Sequence, residues 1–105
     1  MLKHIKLLSD CCQTPEECSD FFNVLSDKTR QDIIMIFSTK KEVGVTEIAE
    51  NFALSRPTIS HHLNLMRRAK FLNSRKEGKE IYYSLNKEFV INLLESIVKN
   101  LRTCC

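Results

Sequence analysis

The stretch Ser55-Arg56-Pro57-Thr58-Ile59-Ser60-His61-His62-Leu63 decides how this chain is read. It follows Thr46-Glu47-Ile48-Ala49-Glu50-Asn51-Phe52-Ala53-Leu54 and runs on into Asn64-Leu65-Met66-Arg67-Arg68-Ala69-Lys70. At about 100° per residue, a helix over 56–70 gathers Ile59, Leu63 and Met66 on one side. Pro57, Ser60, His61, Asn64 and Arg68 fall on the opposite side. That side carries hydroxyl, imidazole, amide and guanidinium groups and no acid. Such groups reach phosphates and base edges in a major groove. Ser55 stands where the helix N-cap belongs. A short helix, a turn and a second helix with a polar reading face make a helix-turn-helix, which points to double-stranded DNA as the partner.

The charge map agrees. The formal net charge is only +3, but it is unevenly placed. Residues 1–55 carry six basic and nine acidic groups, a net of −3. Residues 56–79 carry seven basic groups (Arg56, Arg67, Arg68, Lys70, Arg75, Lys76, Lys79) against Glu77, a net of +6. Residues 80–105 balance at three and three. The excess coincides with the second helix and the segment directly after it, as a phosphate-binding surface requires. A merely solvated basic face would not explain that coincidence.

A length of 105 residues fits one domain over residues 1–105, with cysteine-bearing segments at both ends. So short a chain buries a modest core and gains from dimerising. No apolar run approaches the roughly 18 residues of a membrane span, and the charged start Met-Leu-Lys-His-Ile-Lys does not read as a signal peptide. The expected location is cytoplasmic, with no membrane partner. No glycine-rich phosphate loop, nucleophile–base pair or paired acid argues for an enzyme, so no small-molecule substrate is expected.

Outward from the helix-turn-helix, Thr14-Pro15-Glu16-Glu17 reads as a helix start with a capping box. That helix is expected to run to about Leu25, with Phe21, Phe22 and Leu25 on its apolar side. Ser26 is the expected cap of a helix over roughly 27–38, whose apolar residues are Ile33, Ile34, Ile36 and Phe37. Residues 40–44 read as a loop, and Thr46 as the cap of the first helix of the motif. After Phe71 the period becomes two. Leu72–Lys76 and Lys79–Leu85 read as strands flanking a Glu77-Gly78 turn. This hairpin is a wing, with Arg75, Lys76 and Lys79 near its tip. Asn86 caps a last helix of about 87–103, with a wide apolar stripe of Val90, Leu93, Leu94, Ile97, Val98 and Leu101. A terminal helix that apolar is expected to form a dimer interface. The fold class is therefore mainly α with a β-hairpin wing.

This order of elements on about 100 residues resembles the ArsR/SmtB family of bacterial repressors. The match is carried by Leu25-Ser26-Asp27-Lys28-Thr29-Arg30, by segments 46–54 and 55–63, and by the wing at 75–85, over roughly residues 19–103. The resemblance implies a winged helix-turn-helix homodimer, joined through its first and last helices, that represses its own operon. It also implies release from DNA on binding a metal or metalloid. Carried over by position, Ser55, Arg56, Thr58, Ser60 and His61 are the expected major-groove contacts. Two family sensing sites have no counterpart. The Cys-X-Cys positions ahead of the helix-turn-helix are Gly44 and Thr46, and the zinc-sensor positions of the last helix are Lys87, Phe89, Asn100 and Thr103.

The sensing site must then be sought among Cys11, Cys12, Cys18, Cys104 and Cys105. Cys18, beside Phe21 and Phe22, could pack as a small hydrophobe, but two vicinal pairs in polar terminal segments fit that reading poorly. Adjacent residues have Cα atoms about 3.8 Å apart, short of the usual disulfide range of about 4.4–6.8 Å. Bonds between the two ends remain open to a redox switch. Thiolate coordination is the reading adopted. Three soft thiolates without nearby histidines or clustered carboxylates select soft ions. The ions expected are As(III) or Sb(III), with Cd(II), Pb(II) or Zn(II) as further candidates. On one unbroken helix Cys11 and Cys18 would stand about 10.5 Å apart along the axis, whereas sulfurs sharing one ion lie within about 4.6 Å. The chain must fold back between them, and Gln13-Thr14-Pro15 is a helix break at that place. A vicinal pair with a third cysteine nearby also resembles arsenic-sensing members of the family. The expected ligands are Cys11, Cys12 and Cys18. Cys104 and Cys105 would form a second site or complete the first.

The expected function is thus a DNA-binding repressor released by a thiophilic ion. Two rivals stand beside it: a thiol redox or persulfide sensor on the same scaffold, and an ion-sequestering protein with no operator.

Overall fold

The computed structural model describes residues 15–103. Cys11, Cys12, Cys104, Cys105 and the Thr14 cap lie outside the described residues. Five helices and three strands follow in the order α1 (Pro15–Leu25), α2 (Lys28–Ile36), β1 (Val43–Gly44), α3 (Val45–Glu50), α4 (Arg56–Arg68), β2 (Leu72–Glu77), β3 (Glu80–Leu85) and α5 (Lys87–Thr103). The strands form one antiparallel sheet in the order β1-β3-β2. No helix among the described residues is long and apolar enough to cross a membrane.

Helix α1 begins at Pro15, with Glu16 and Glu17 in its first turn, where acids favour the helix dipole. Its buried stripe is Cys18, Phe21 and Val24, while Phe22 and Leu25 are exposed. The apolar side is thus rotated from the one expected. Spacings of three keep residues 18, 21 and 24 on one face, and Phe22 sits about 100° away from Phe21. Phe21 packs on Phe71 with ring centroids 5.3 Å apart.

The cap of α2 is Asp27, not Ser26. The Asp27 carboxylate accepts the Arg30 N–H at 3.2 Å, and that hydrogen bond keeps its pKa below the usual carboxylate value. Ser26 instead donates to the Asn23 carbonyl at 2.7 Å. Ile33 and Phe37 enter the core, with Ile34 and Ile36 packed against it. The segment read as a loop ends in β1, where Val43 and Gly44 pair with Tyr83 and Tyr82. Helix α3 starts two residues earlier than expected, with Gly44 rather than Thr46 in the N-cap position and no side-chain cap bond. A strand residue supplies the missing acceptor, since the Thr46 N–H donates to Glu80 Oε2 at 3.4 Å.

Helix α4 is built as its sequence dictates. Ser55 accepts the Thr58 N–H at 3.3 Å, Pro57 occupies the first turn, and Ile59, Leu63 and Met66 are all fully buried. Its end is a Schellman turn, with Phe71 N–H donating to Met66 O at 2.9 Å and Lys70 N–H to Arg67 O at 3.0 Å. Lys70 has φ +67°, a left-handed conformation that costs a non-glycine residue about 1–2 kcal/mol. Burial of Phe71 and Met66 against each other's turn offsets that cost.

The hairpin register pairs Glu77 with Glu80, so the two-residue turn is Gly78-Lys79. Gly78 has φ +63°, as the first position of a type II′ turn requires. Tyr83 is buried, and Ile81 and Leu85 pack on the core. On α5 the expected stripe splits into two faces. Leu93 is buried and Phe89, Val90 and Ile97 pack inward, whereas Ile91, Leu94, Val98 and Leu101 stay exposed.

Candidate nucleic-acid interface and cysteine site

The N-terminus of α4 presents the positive end of the helix dipole, which favours a phosphate, although Pro57 has no N–H and the Thr58 N–H is taken by Ser55. Ser55 and Thr58 flank it, with hydroxyls 2.8 Å apart. Arg56, Pro57, His61 and Asn64 are exposed on the outward face, and Ser60 is half-buried between them. His62 is the inward neighbour, its side chain 14% exposed. The two histidine rings stand 6.1 Å apart and are tilted by 59° to one another. Arg68 lies further along, beside a crevice lined by Asp20 and Asn23 of α1 and by Leu65 and Ala69.

Two expected DNA-facing arginines carry acidic partners that sequence reasoning missed. Arg56 Nη2 lies 3.6 Å from Glu80 Oε1. Arg75 is held by Glu42 through two hydrogen bonds of 2.8 and 2.7 Å, by Glu77, and over the Tyr82 ring at 4.8 Å from its centroid. The Arg75 hydrogen bonds hold the Glu42 carboxyl below its usual pKa and raise that of Arg75. Both groups are exposed, so the pair contributes little stability, but it orients the wing. Lys76 and Lys79 remain exposed near the tip. Glu42 lies 33 residues from Arg75 and Glu80 lies 24 from Arg56 (80 − 56), and no local sequence signal marks them.

Cys18 is 5% exposed in the core beside Phe21 and Val24. Its sulfur is engaged in a disulfide, and it is the only cysteine among the described residues. Among these residues, no group of three or more His, Cys, Asp and Glu side chains stands together as a metal site.

A capped, outward-facing second helix followed by a basic hairpin defines a winged helix-turn-helix DNA-binding protein. The model of the bacterial regulatory protein arsR family matches residues 27–74. The cadmium resistance transcriptional regulatory protein CadC homolog of Staphylococcus aureus is 40% identical over 83 residues, which cover 79% of this chain and 69% of that one. The arsenical resistance operon repressor of Staphylococcus aureus is 31% identical over 82% of this chain and 78% of its own. A solved ArsR family transcriptional regulator shares the fold at TM-score 0.78 and 22% identity, over 87% of this chain and 92% of that one. The chain belongs to the ArsR family, and it is a transcriptional repressor that binds double-stranded DNA rather than an enzyme.

Proposed function

We propose that this repressor leaves its operator when Cys11, Cys12 and Cys18 bind a thiophilic ion, foremost As(III) or Sb(III), with Cys104 and Cys105 as further ligands. The observation that carries this reading is Cys18. It stands in the first turn of a helix that starts at Pro15, after the break a shared ion demands. Soft thiolates select soft ions, and relatives named for cadmium and arsenical resistance support an ion of that kind.

The working form is a homodimer, supported by the exposed seam Ile91, Leu94, Val98 and Leu101 on α5. Two copies would place two α4 helices at half-sites about one DNA turn apart. Ser55, Arg56, Thr58, Ser60, His61, Asn64 and Arg68 contact the major groove and its phosphates, and Lys76, Lys79 and Arg75 the flanking backbone. Ion capture changes how the subunits sit, at a typical coupling of about 1–3 kcal/mol. His61→Ala, an exposed substitution, leaves the fold intact and lowers operator affinity by about 1–3 kcal/mol if its base contact is made. Electrophoretic mobility shifts with the DNA upstream of the gene check this.

The deciding experiment is anaerobic arsenite titration of reduced protein on that DNA, followed by fluorescence anisotropy. The expected result is release at one or two ions per dimer, with Cys12→Ser protein binding DNA normally and ignoring arsenite. Release of Cys12→Ser protein by arsenite would overturn the cysteine trio. Binding that survives arsenite but yields to Cd(II) or Pb(II) would change the ion. A second reading, a thiol redox or persulfide sensor, is favoured by the disulfide at Cys18. Release by an oxidant without any ion would select it.

A further inference from the structure

Arg30 is the one buried charged side chain among the described residues, at 8% exposure. Its guanidinium reaches three acceptors on two other helices. Nε donates to the Val24 carbonyl at 3.2 Å, and Nη2 to the Asn23 carbonyl at 2.8 Å. Nη1 lies 3.1 Å from His62 Nδ1. The carbonyls belong to the last turn of α1, past which the helical N–H ladder ends; that of Asn23 also accepts the Ser26 N–H at 3.3 Å and the Ser26 hydroxyl at 2.7 Å. His62 belongs to α4. One side chain of α2 thus fastens the end of the cysteine-bearing helix to the helix that faces DNA.

The chemistry of this contact has one solution. A guanidinium only donates and does not lose its proton. Nδ1 of His62 must therefore accept, so the ring is neutral and carries its proton on Nε2. We propose that Arg30 is a positioning residue for DNA recognition: it locks His62 in the Nε2–H tautomer and so fixes the rotation of α4 about its own axis. Rotation matters because His61 is the next residue, and Ser60, His61 and Asn64 face outward only while His62 faces inward. A proton on Nδ1 would set one donor against another and open the contact.

The charged groups acting on His62 are Arg30 and Asp27 of α2, with Asp27 Oδ2 at 4.0 Å, and His61 on its own helix. α1 contributes only the carbonyl-bound side of the guanidinium. Burial, then Arg30 and His61, lower the pKa of His62 against the opposing pull of Asp27. A lowered histidine pKa means that the unfolded chain binds the proton more readily. The contact's contribution is therefore complete above about pH 6.5 and is lost as pH falls from there through the lower folded value.

The first test needs no variant. Two-dimensional nitrogen–proton NMR of the protein at pH 7.5 should show His62 as the neutral Nε2–H tautomer, titrating below the usual histidine value. A cationic ring or an Nδ1–H tautomer overturns the proposal. The second test measures operator affinity. Arg30→Lys keeps the charge but cannot span three acceptors, and should weaken binding by about tenfold or more. The salt dependence should stay unchanged, because no phosphate contact is lost. His62→Gln restores an acceptor and should bind like the parent at pH 7.5 while losing the parent's fall in affinity towards pH 5.5. His62→Leu leaves the α1 contacts whole and should behave as Arg30→Lys does, so it serves if Arg30→Lys fails to fold. The two losses should not add in the double variant. Parent-like affinity of folded His62→Leu, or identical pH profiles for His62→Gln and the parent, overturns the proposal. The affinity arm rests on α4 being the DNA-reading helix and the NMR arm does not, so the two failures are distinguishable.

Discussion

Leu94→Glu combined with Val98→Glu should turn the protein into a folded monomer that no longer holds its operator. Both side chains are more than two-fifths exposed, so neither substitution opens the chain's own core. Ile91, Leu94, Val98 and Leu101 recur at spacings of three, four and three, the seam one helix offers another. Glu95, Lys99 and Arg102 border the groove along it, a polar rim around an apolar strip. Two carboxylates placed in that strip would be desolvated without partners on dimerisation. A single winged helix-turn-helix reads one half-site, and losing the linked second one removes an avidity of about 10²–10⁴. Sedimentation and operator anisotropy check both halves. A variant that stays dimeric would show that subunits meet elsewhere.

The largest effect on stability is expected at Phe71. Phe71→Ala should cost about 3–5 kcal/mol, a large share of the roughly 5–15 kcal/mol that holds a small domain together. The ring is 2% exposed and stacks against Phe21. Its N–H closes the Schellman turn of α4, and its carbonyl accepts Asn86 N–H at 2.8 Å at the start of α5. The residue thus joins α1, the end of α4, the first strand of the wing and the last helix. The left-handed Lys70 loses the burial that holds it when the ring goes. Urea denaturation measures the loss, and Met35→Ala, at a side chain 64% exposed, should stay within about 0.5 kcal/mol of the parent. A Phe71→Ala protein as stable as the Met35→Ala one would contradict the role of this ring in the core.

Much of this architecture was legible in the chain because it is encoded locally. Ser55, Pro57 and the 59-63-66 spacing specify α4 without help from elsewhere, and the structure returns that helix with its cap and buried face as read. Gly78 marks the wing turn for the same reason, since it alone tolerates the positive φ there. The basic excess of residues 56–79 pointed to nucleic acid. Errors came where two local readings competed. Ser26 and Asp27 are both good caps, and the choice fell to Asp27 because its carboxylate reaches the N–H three residues on. The apolar stripes of α1 and α5 were seen, but their division into inward and outward faces was not. Periodicity shows that a face exists, whereas packing decides what covers it.

By itself, then, the amino-acid sequence determined the helix-turn-helix, the wing, the charge asymmetry and the family resemblance, each a matter of neighbours within a few residues. Tertiary structure alone decided the pairing of β1 with β3 and the acids that hold Arg56 and Arg75. It also placed Arg30 between α1 and His62, a contact spanning 32 residues of sequence. These contacts arise only when separately formed elements dock. A carboxylate or guanidinium in a sequence carries no mark of the distant partner that burial will force it to find.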